Sequence, residues 1–326
     1  MKNLFSRTLF AAATLALCAG AHAEEKFTYM TNWYAQAEHG GFYQAVATGI
    51  YKKYGLDVTI KMGGPQVNIY QLMAAGQTDC VMGSSDMQAV ITRAGGLPVT
   101  TVAAVFQKDP QVLISHDDVA GFEQMKDKTI LIAPTAQRGY WLWLKQKYGF
   151  TDAQTRPYTF NIQPFVADKN AVQQGYLTSE PFAIQKAGVK AKAHLFADQG
   201  WTSYATTITC MDTTVKQRKA AVASFVKATM EGWKSYLADP APANALIKKD
   251  NPNMTDEQLA YSVQKLKEMG IVSSGEAAKA GLGTMDDKRV AANFKFLLDN
   301  KLIEPGKVST ADAYDFSFAR DAKVLP

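Results

Sequence analysis

Glu38 and His39 are adjacent, a carboxylate beside an imidazole, and such a pair can exchange protons with a bound molecule. They belong to the segment Thr31-Asn32-Trp33-Tyr34-Ala35-Gln36-Ala37-Glu38-His39-Gly40-Gly41, which also carries two amides and two large aromatics. Connecting loops normally use small turn residues with solvated backbone, so a loop of this composition is built to touch something. Trp33 and Tyr34 offer flat apolar faces with a polar tip, suited to sandwiching a planar ring. Asn32 donates and accepts at once, Glu38 accepts from ring or exocyclic N–H groups, and His39 does either. The plainer alternative has Glu38 and His39 capping the following helix and one aromatic packing on the strand end.

Catalysis asks for more than this segment supplies. A hydrolytic triad needs a nucleophile, a base and an orienting group. Of the four histidines, His22 falls in the N-terminal leader, while His116 lies in an expected hinge and His194 at the start of a strand, and both read as surface or structural residues. The chain has no G-x-S-x-G elbow, H-E-x-x-H pair, cysteine cluster or phosphate loop, and Gly63-Gly64-Pro65 is a turn signal. A metal would need two more ligands at a paired spacing beyond Glu38 and His39. The residues therefore read as a binding site, with no catalytic group, metal or cofactor. An enzyme using Glu38 and His39 as acid and base remains the rival from another class.

Met1 to Arg7 carries two positive charges, an apolar run from Leu9 to Ala19 follows, and Ala21-His22-Ala23 closes it. This is the pattern of a secretory signal peptide over 1–23, cleaved before Glu24. The apolar run is too short to span a bilayer, and no later stretch is long enough. Export to the periplasm is expected. Without Lys2 and Arg7 the formal charge falls from +5 to about +3. That is too mild to indicate a nucleic acid or an anionic membrane as partner. The chain of 326 residues exceeds one typical core, so two lobes are expected in a monomer. Cys80 and Cys210 read as buried free thiols, although export permits them to pair.

From Lys26 the sequence alternates strands and helices. Strands are expected at 26–30, 56–62, 79–82 and 97–106. Phe42, Ala45, Val46, Gly49 and Ile50 mark one helix face, ended by Gly55, and further helices are expected over 66–75 and 86–94. Such alternation gives a parallel sheet whose ligands sit beyond the carboxyl ends of the strands. The loops there are 32–41, 63–65 with Gly64, and 83–85 with Ser84 and Ser85. The alternation resumes with strands at 111–115 and 129–133, a helix from Trp141 to Gly149, a strand at 158–161, a helix over 165–173, and strands at 175–177 and 192–196. Segments 111–116 and 203–211 read as antiparallel connectors between the lobes. The expected division is 24–112 and 205–326 for one lobe and 113–204 for the other. A capping box at Thr255 to Gln258 opens one of the C-terminal helices; the tail shows no clear element.

The second lobe contributes candidates of its own. Thr135, Gln137 and Arg138 open a helix whose free N–H groups hold an anion or a carbonyl oxygen. Arg138 is placed to pair with Glu180 or a charged ligand tail. Tyr140 and Tyr176 would close an aromatic box, and Glu180, just before Pro181, reads as a site carboxylate or as an exposed turn residue.

Residues 29–62, with Trp33, His39, Gly49-Ile50-Tyr51 and Tyr54-Gly55-Leu56-Asp57-Val58, resemble the NMT1/THI5-like branch of ABC-transporter solute-binding proteins. Gly175-Tyr176-Leu177-Thr178-Ser179-Glu180-Pro181 looks like its second-lobe motif and Gly83-Ser84-Ser85 like its first-lobe loop. The resemblance implies a type II periplasmic-binding fold, two α/β lobes that close on a small-molecule ligand, with an ABC permease and its ATPase as partners. Ligands of the family include pyrimidine precursors of thiamine, and in neighbouring branches riboflavin, nitrate and sulfonates. Here Gln36 and Glu38 stand where the branch carries other polar residues. A small planar nitrogen heterocycle is the expected ligand, with a sulfonate, taurine or nitrate receptor as the alternative.

Overall fold

The computed structural model describes residues 23–64, 67–133, 136–137, 139–159 and 161–326. The expected signal peptide lies outside these residues, apart from Ala23, and so do Thr135 and Arg138.

Two five-stranded mixed sheets organise the chain. The first contains β1 (Glu25–Met30), β2 (Leu56–Lys61), β3 (Cys80–Ser85), β4 (Val99–Phe106) and β10 (Ala205–Met211) in the order β2-β1-β3-β10-β4. The second contains β5 (Gln111–His116), β6 (Thr129–Ile132), β7 (Thr155–Pro157), β8 (Ala171–Tyr176) and β9 (Ala191–Leu195) in the order β7-β6-β8-β5-β9. In each sheet the first three strands run parallel, and the fourth is antiparallel to its neighbours on both sides. The two antiparallel strands are the segments that enter one sheet or return to the other.

The segments 111–116 and 203–211, expected as antiparallel connectors and a hinge pair, are antiparallel but lie within the sheets. Both runs are almost wholly buried, so each becomes an inner strand rather than a link. The chain crosses between the sheets at 107–110 and 196–204 instead. The same pairing corrects the thiol reading. Cys80 and Cys210 face each other in the β3–β10 register, with Cα atoms 4.2 Å apart, and form a disulfide.

The helices ahead of β10 are α1 (Gly40–Ala47), α2 (Ile50–Lys53), α3 (Ile69–Ala74), α4 (Asp86–Ala94), α5 (Tyr140–Tyr148), α6 (Gln163–Ala167) and α7 (Glu180–Lys186). The helix expected up to Gly55 is broken at Gly49, whose φ of 72° starts a new turn. Residues 165–173 divide between α6 and β8, since the buried Ala171, Val172 and Gln173 continue a central strand. A strand near 158 falls three residues earlier, as β7. Pro181 sits in the first turn of α7, where its missing N–H costs nothing, so 178–181 opens a helix rather than a turn.

The C-terminal region is helical: α8 (Asp212–Gln217), α9 (Lys219–Ala238), α10 (Ala241–Asp250), α11 (Asp256–Glu268), α12 (Ala277–Ala280), α13 (Asp287–Asp299), α14 (Thr310–Ala313) and α15 (Ser317–Ala322). The last two occupy a tail in which no element was expected. Helix α9 packs under the first sheet through Phe225, whose ring stacks on Phe27 at 4.5 Å and on Tyr51 at 5.2 Å. Each fully buried aromatic of this kind contributes about 2 kcal/mol of transfer free energy. Gly232 lets α9 cross α1 closely, because a Cβ there would meet the Gly41 carbonyl. Helix α13 joins one apolar cluster from both sides, Val290 and Leu297 sharing it with Met87 and Val90 of α4 and with Trp141 and Leu144 of α5.

Candidate functional site

The segment after β1 is held by short-range bonds before it touches anything else. Thr31 Oγ1 donates to the Trp33 carbonyl at 2.8 Å and accepts from Gly63 N–H at 3.1 Å, tying the ends of β1 and β2 together. Asn32 Nδ2 donates to Ser84 Oγ at 2.8 Å, adding the end of β3. The carboxyl ends of three strands therefore meet there, as their loops require. Trp33 is half-buried with its ring edge-on to Tyr34 at 5.8 Å, and Tyr34 is 46% exposed. Gly64 faces the Tyr34 ring, and a Cβ there would approach it to 3.3 Å.

Ser84 and Ser85 are the last residues of β3 and not a loop. The strand is lengthened by β10, which pairs Ala205 with Ser85. Ser85 Oγ caps α4 by accepting from Gln88 N–H at 3.1 Å, so this helix start already has an oxygen on it.

Glu38 and His39 lie in a single 3-10 turn, Ala37–His39, and both are buried. Neither side chain caps the following helix. Glu38 Oε1 accepts from Thr178 Oγ1, in the chain just beyond β8. Burial pushes the Glu38 carboxyl up to about 7, against the pull of that bond, and Glu180 adds to the rise. Burial drives His39 the other way, down to about 3, so its ring is neutral at ordinary pH. Its Nδ1 has no hydrogen-bond partner among the described residues.

From the second sheet come Tyr140, Tyr176 and Glu180, at the carboxyl side of β6 and β8. Tyr140 Oη donates to Gln174 Oε1 at 2.7 Å, and Gln174 also accepts from Ala133 N–H. Glu180 is not a free turn carboxylate. Its Oε2 accepts from Tyr176 N–H at 2.8 Å and its Oε1 from Tyr158 Oη at 3.0 Å. Burial raises its pKa despite both bonds. Gln137 is half-buried just ahead of α5.

Asp109, in the first crossing, was not anticipated. It is buried, accepts from Gln111 N–H at 3.0 Å and from Trp201 Nε1 at 3.0 Å, and burial lifts its carboxyl to about 6. An Asp-Pro pair between two apolar runs was the available signal. Tyr158 was missed because it fell within an expected strand. The Tyr176 hydroxyl is held well above its usual range by burial and then by Asp109, Glu38 and Glu180, so three carboxylates share its surroundings. Among the described residues none of the three makes an ion pair with a lysine or arginine. Carboxyl oxygens so placed can accept hydrogen bonds from N–H donors.

Among the described residues, no group of three His, Cys, Asp or Glu side chains is placed to hold a metal, and no helix is long and apolar enough to cross a membrane. A family model described as NMT1/THI5 like matches residues 36–243. A riboflavin-binding protein, RibY, of Chloroflexus aurantiacus is 25% identical over 272 residues, covering 80% of this chain and 77% of its own. The periplasmic aliphatic sulphonate binding protein SsuA of Escherichia coli superposes with a TM-score of 0.69 at 12% identity, over 91% of this chain and 99% of its own. A ligand-binding component of an ABC-type import system from Staphylococcus aureus gives 0.66 at 12% identity, with the same coverages. The architecture is that of the periplasmic binding proteins.

Proposed function

The chain belongs to the NMT1/THI5-like family, and from that premise we propose that it is the periplasmic solute-binding protein of an ABC importer. It takes a small planar nitrogen heterocycle between its two lobes and delivers it to membrane permease subunits driven by their ATPase. Residues 24–106 with 205–326 form one lobe and 111–195 the other, the boundary at 112/113 expected from sequence falling inside β5. Closure bends the chain at the two crossings, 107–110 and 196–204, and the ligand selects the closed arrangement by bridging both sides.

One observation supports the choice of ligand: Glu38, Asp109 and Glu180 share the surroundings of Tyr176, and among the described residues none of the three ion-pairs with a lysine or arginine, Arg289 acting on Asp109 only at longer range. Ring N–H and exocyclic amine groups satisfy such acceptors, and Trp33 with Tyr34 supplies the stacking face. Asn32 completes the edge by donating or accepting. The riboflavin-binding relative has a name that fits a flat nitrogenous ring, and flavins belong in the test with aminopyrimidines. A sulfonate would meet carboxylates where it needs donors.

Thermal-shift measurement of the exported chain against aminopyrimidines, flavins and alkanesulfonates decides between these classes. The expected result is stabilisation by a heterocycle, lost in Trp33→Ala. Stabilisation by sulfonates alone, unchanged in Trp33→Ala, would overturn the reading. So would steady turnover of the bound heterocycle that vanishes in His39→Ala.

A further inference from the structure

Arg289 lies near the start of α13 and is half-buried. Its three nitrogens donate to three main-chain carbonyls on both crossings. Nη1 reaches Gln107 O at 2.6 Å, Nε reaches Thr202 O at 2.5 Å and Nη2 reaches Ser203 O at 2.8 Å. The plane lies over the Tyr204 ring, with Cζ 3.7 Å from the centroid. Tyr204 is fixed in turn, since its Oη accepts from Asp286 N–H at 2.8 Å, at the cap of the same helix. No carboxylate among the described residues ion-pairs with Arg289. Its charge is balanced at longer range by the buried Asp86 and Asp109, whose carboxyls it pulls down against burial.

The same helix bonds to α4, to the second crossing and to α5. Asn293 Nδ2 donates to Asp86 Oδ2 at 2.9 Å and to Thr202 O at 3.2 Å. At the far end, Gln146 of α5 donates to Asn300 just beyond α13 at 2.5 Å. The crossings are also tied to each other by Trp201 with Asp109 and by Lys108 with Asp198 at 2.6 Å. Two residues beyond Tyr204, a β-branched residue, Thr206, is held at a φ of 50°, a conformation that only firm surroundings sustain.

We propose that Arg289 is the positioning residue that sets the angle between the two lobes, by pinning both crossings to α13. Only a planar fork with several fixed donors serves three carbonyls at once, which a lysine ammonium on a flexible stem does not. Rotation of one lobe against the other bends 107–110 and 196–204 and so acts directly on these three bonds. With them in place the unliganded protein presents its binding surfaces in a narrow range of separations. Ligand capture then costs little reorganisation. The motion serves capture only if the proposed function holds, whereas the angle is measurable without ligand, so the two readings stand or fall separately.

The test uses ligand-free protein carrying spin labels at the exposed positions Thr59 and Lys169, one in each lobe, and reads the distribution of distances between them. Arg289→Met keeps the length and packing of the side chain and removes its donors. The expected result is a distribution about 1.5-fold wider than in the parent, with amide exchange at 201–204 about tenfold faster. Arg289→Lys, the milder change, should widen it less. Arg320→Met, on α15, removes its exposed pair with Asp287 of α13 and should leave the width as in the parent. A lower Tm in both Arg289 variants with unchanged distance widths would mean that the arginine only stabilises the fold, and would overturn the proposal.

Discussion

Thr178 Oγ1 donates to Glu38 Oε1 and so joins the chain beyond β8 to the chain beyond β1, 140 positions apart. The junction has a third member. The Thr178 carbonyl accepts from Ser262 Oγ at 2.6 Å and from Gln258 Nε2 at 3.2 Å, both on α11. A carboxylate that sequence places in an open loop is thus enclosed by three separate segments, and enclosure is what raises its pKa.

That rise makes stability depend on pH in a stated direction. The folded carboxyl titrates at about 7 and the unfolded one at 4.5, so between these values the folded state keeps a proton that the unfolded chain has released. Stability from this group is full below 4.5 and falls as pH climbs to about 7, by about 3 kcal/mol in all. Glu38→Gln cannot ionise and still offers Thr178 an acceptor. Its Tm should match the parent at pH 4.5 and exceed it at pH 8. A parent-minus-variant difference that does not change between the two pH values would contradict the assignment. His39 has the opposite slope, since its depressed pKa makes stability fall as pH drops from 6.5 to about 3, and the comparison with the variant removes it.

The Cys80–Cys210 bridge closes a loop of 130 positions between two neighbouring inner strands. Loops of that length give about 5 kcal/mol through the unfolded state. The double variant Cys80→Ala/Cys210→Ala should lose roughly that amount in urea unfolding. The exported parent should show no reactive thiol until it is unfolded and reduced.

Helices α1 and α9 touch through glycines at the crossing. In Gly232→Ala the new Cβ meets the Gly41 carbonyl and the Ala45 Cβ, neither of which can swing aside. The helices must separate, and the cost of such overpacking, about 2 kcal/mol, outweighs the gain of about 1 kcal/mol in helix propensity. A lower urea midpoint with an unchanged m-value is the expected outcome.

Local rules served the parts of the chain that local rules govern. Period and punctuation located β1, β2, α4 and α5, and Gly55 and Gly149 take the positive φ that their helix ends require. Thr255 Oγ1 caps α11 through Gln258 N–H at 3.1 Å. Gln258 does not complete the reciprocal box, because its side chain goes to Thr178. What escaped was decided by partners distant in sequence. The cysteine pair depends on β10 returning beside β3, and the exposure of Glu38 depends on Thr178. Gln173 was read as helical because nothing in its neighbours reveals that β8 is flanked by β5 and β6. Asp109 gained meaning only once the second crossing laid Trp201 against it.

Glu180 offers the sharpest separation of folding from binding at the site. Both of its oxygens accept, one from Tyr176 N–H and one from Tyr158 Oη. In Glu180→Gln one acceptor becomes an NH2 facing a donor, so stability should fall by about 1–3 kcal/mol. Tyr158→Phe removes a single donor and leaves the carboxylate intact. The double variant should lose less than the sum of the single losses, because the two side chains share one bond. A heterocycle that stabilises the parent should still stabilise Tyr158→Phe, which keeps the acceptor, and should do so far less in Glu180→Gln. Equal ligand-induced shifts in the two single variants would mean that Glu180 holds the loop beyond β8 and does not read the ligand.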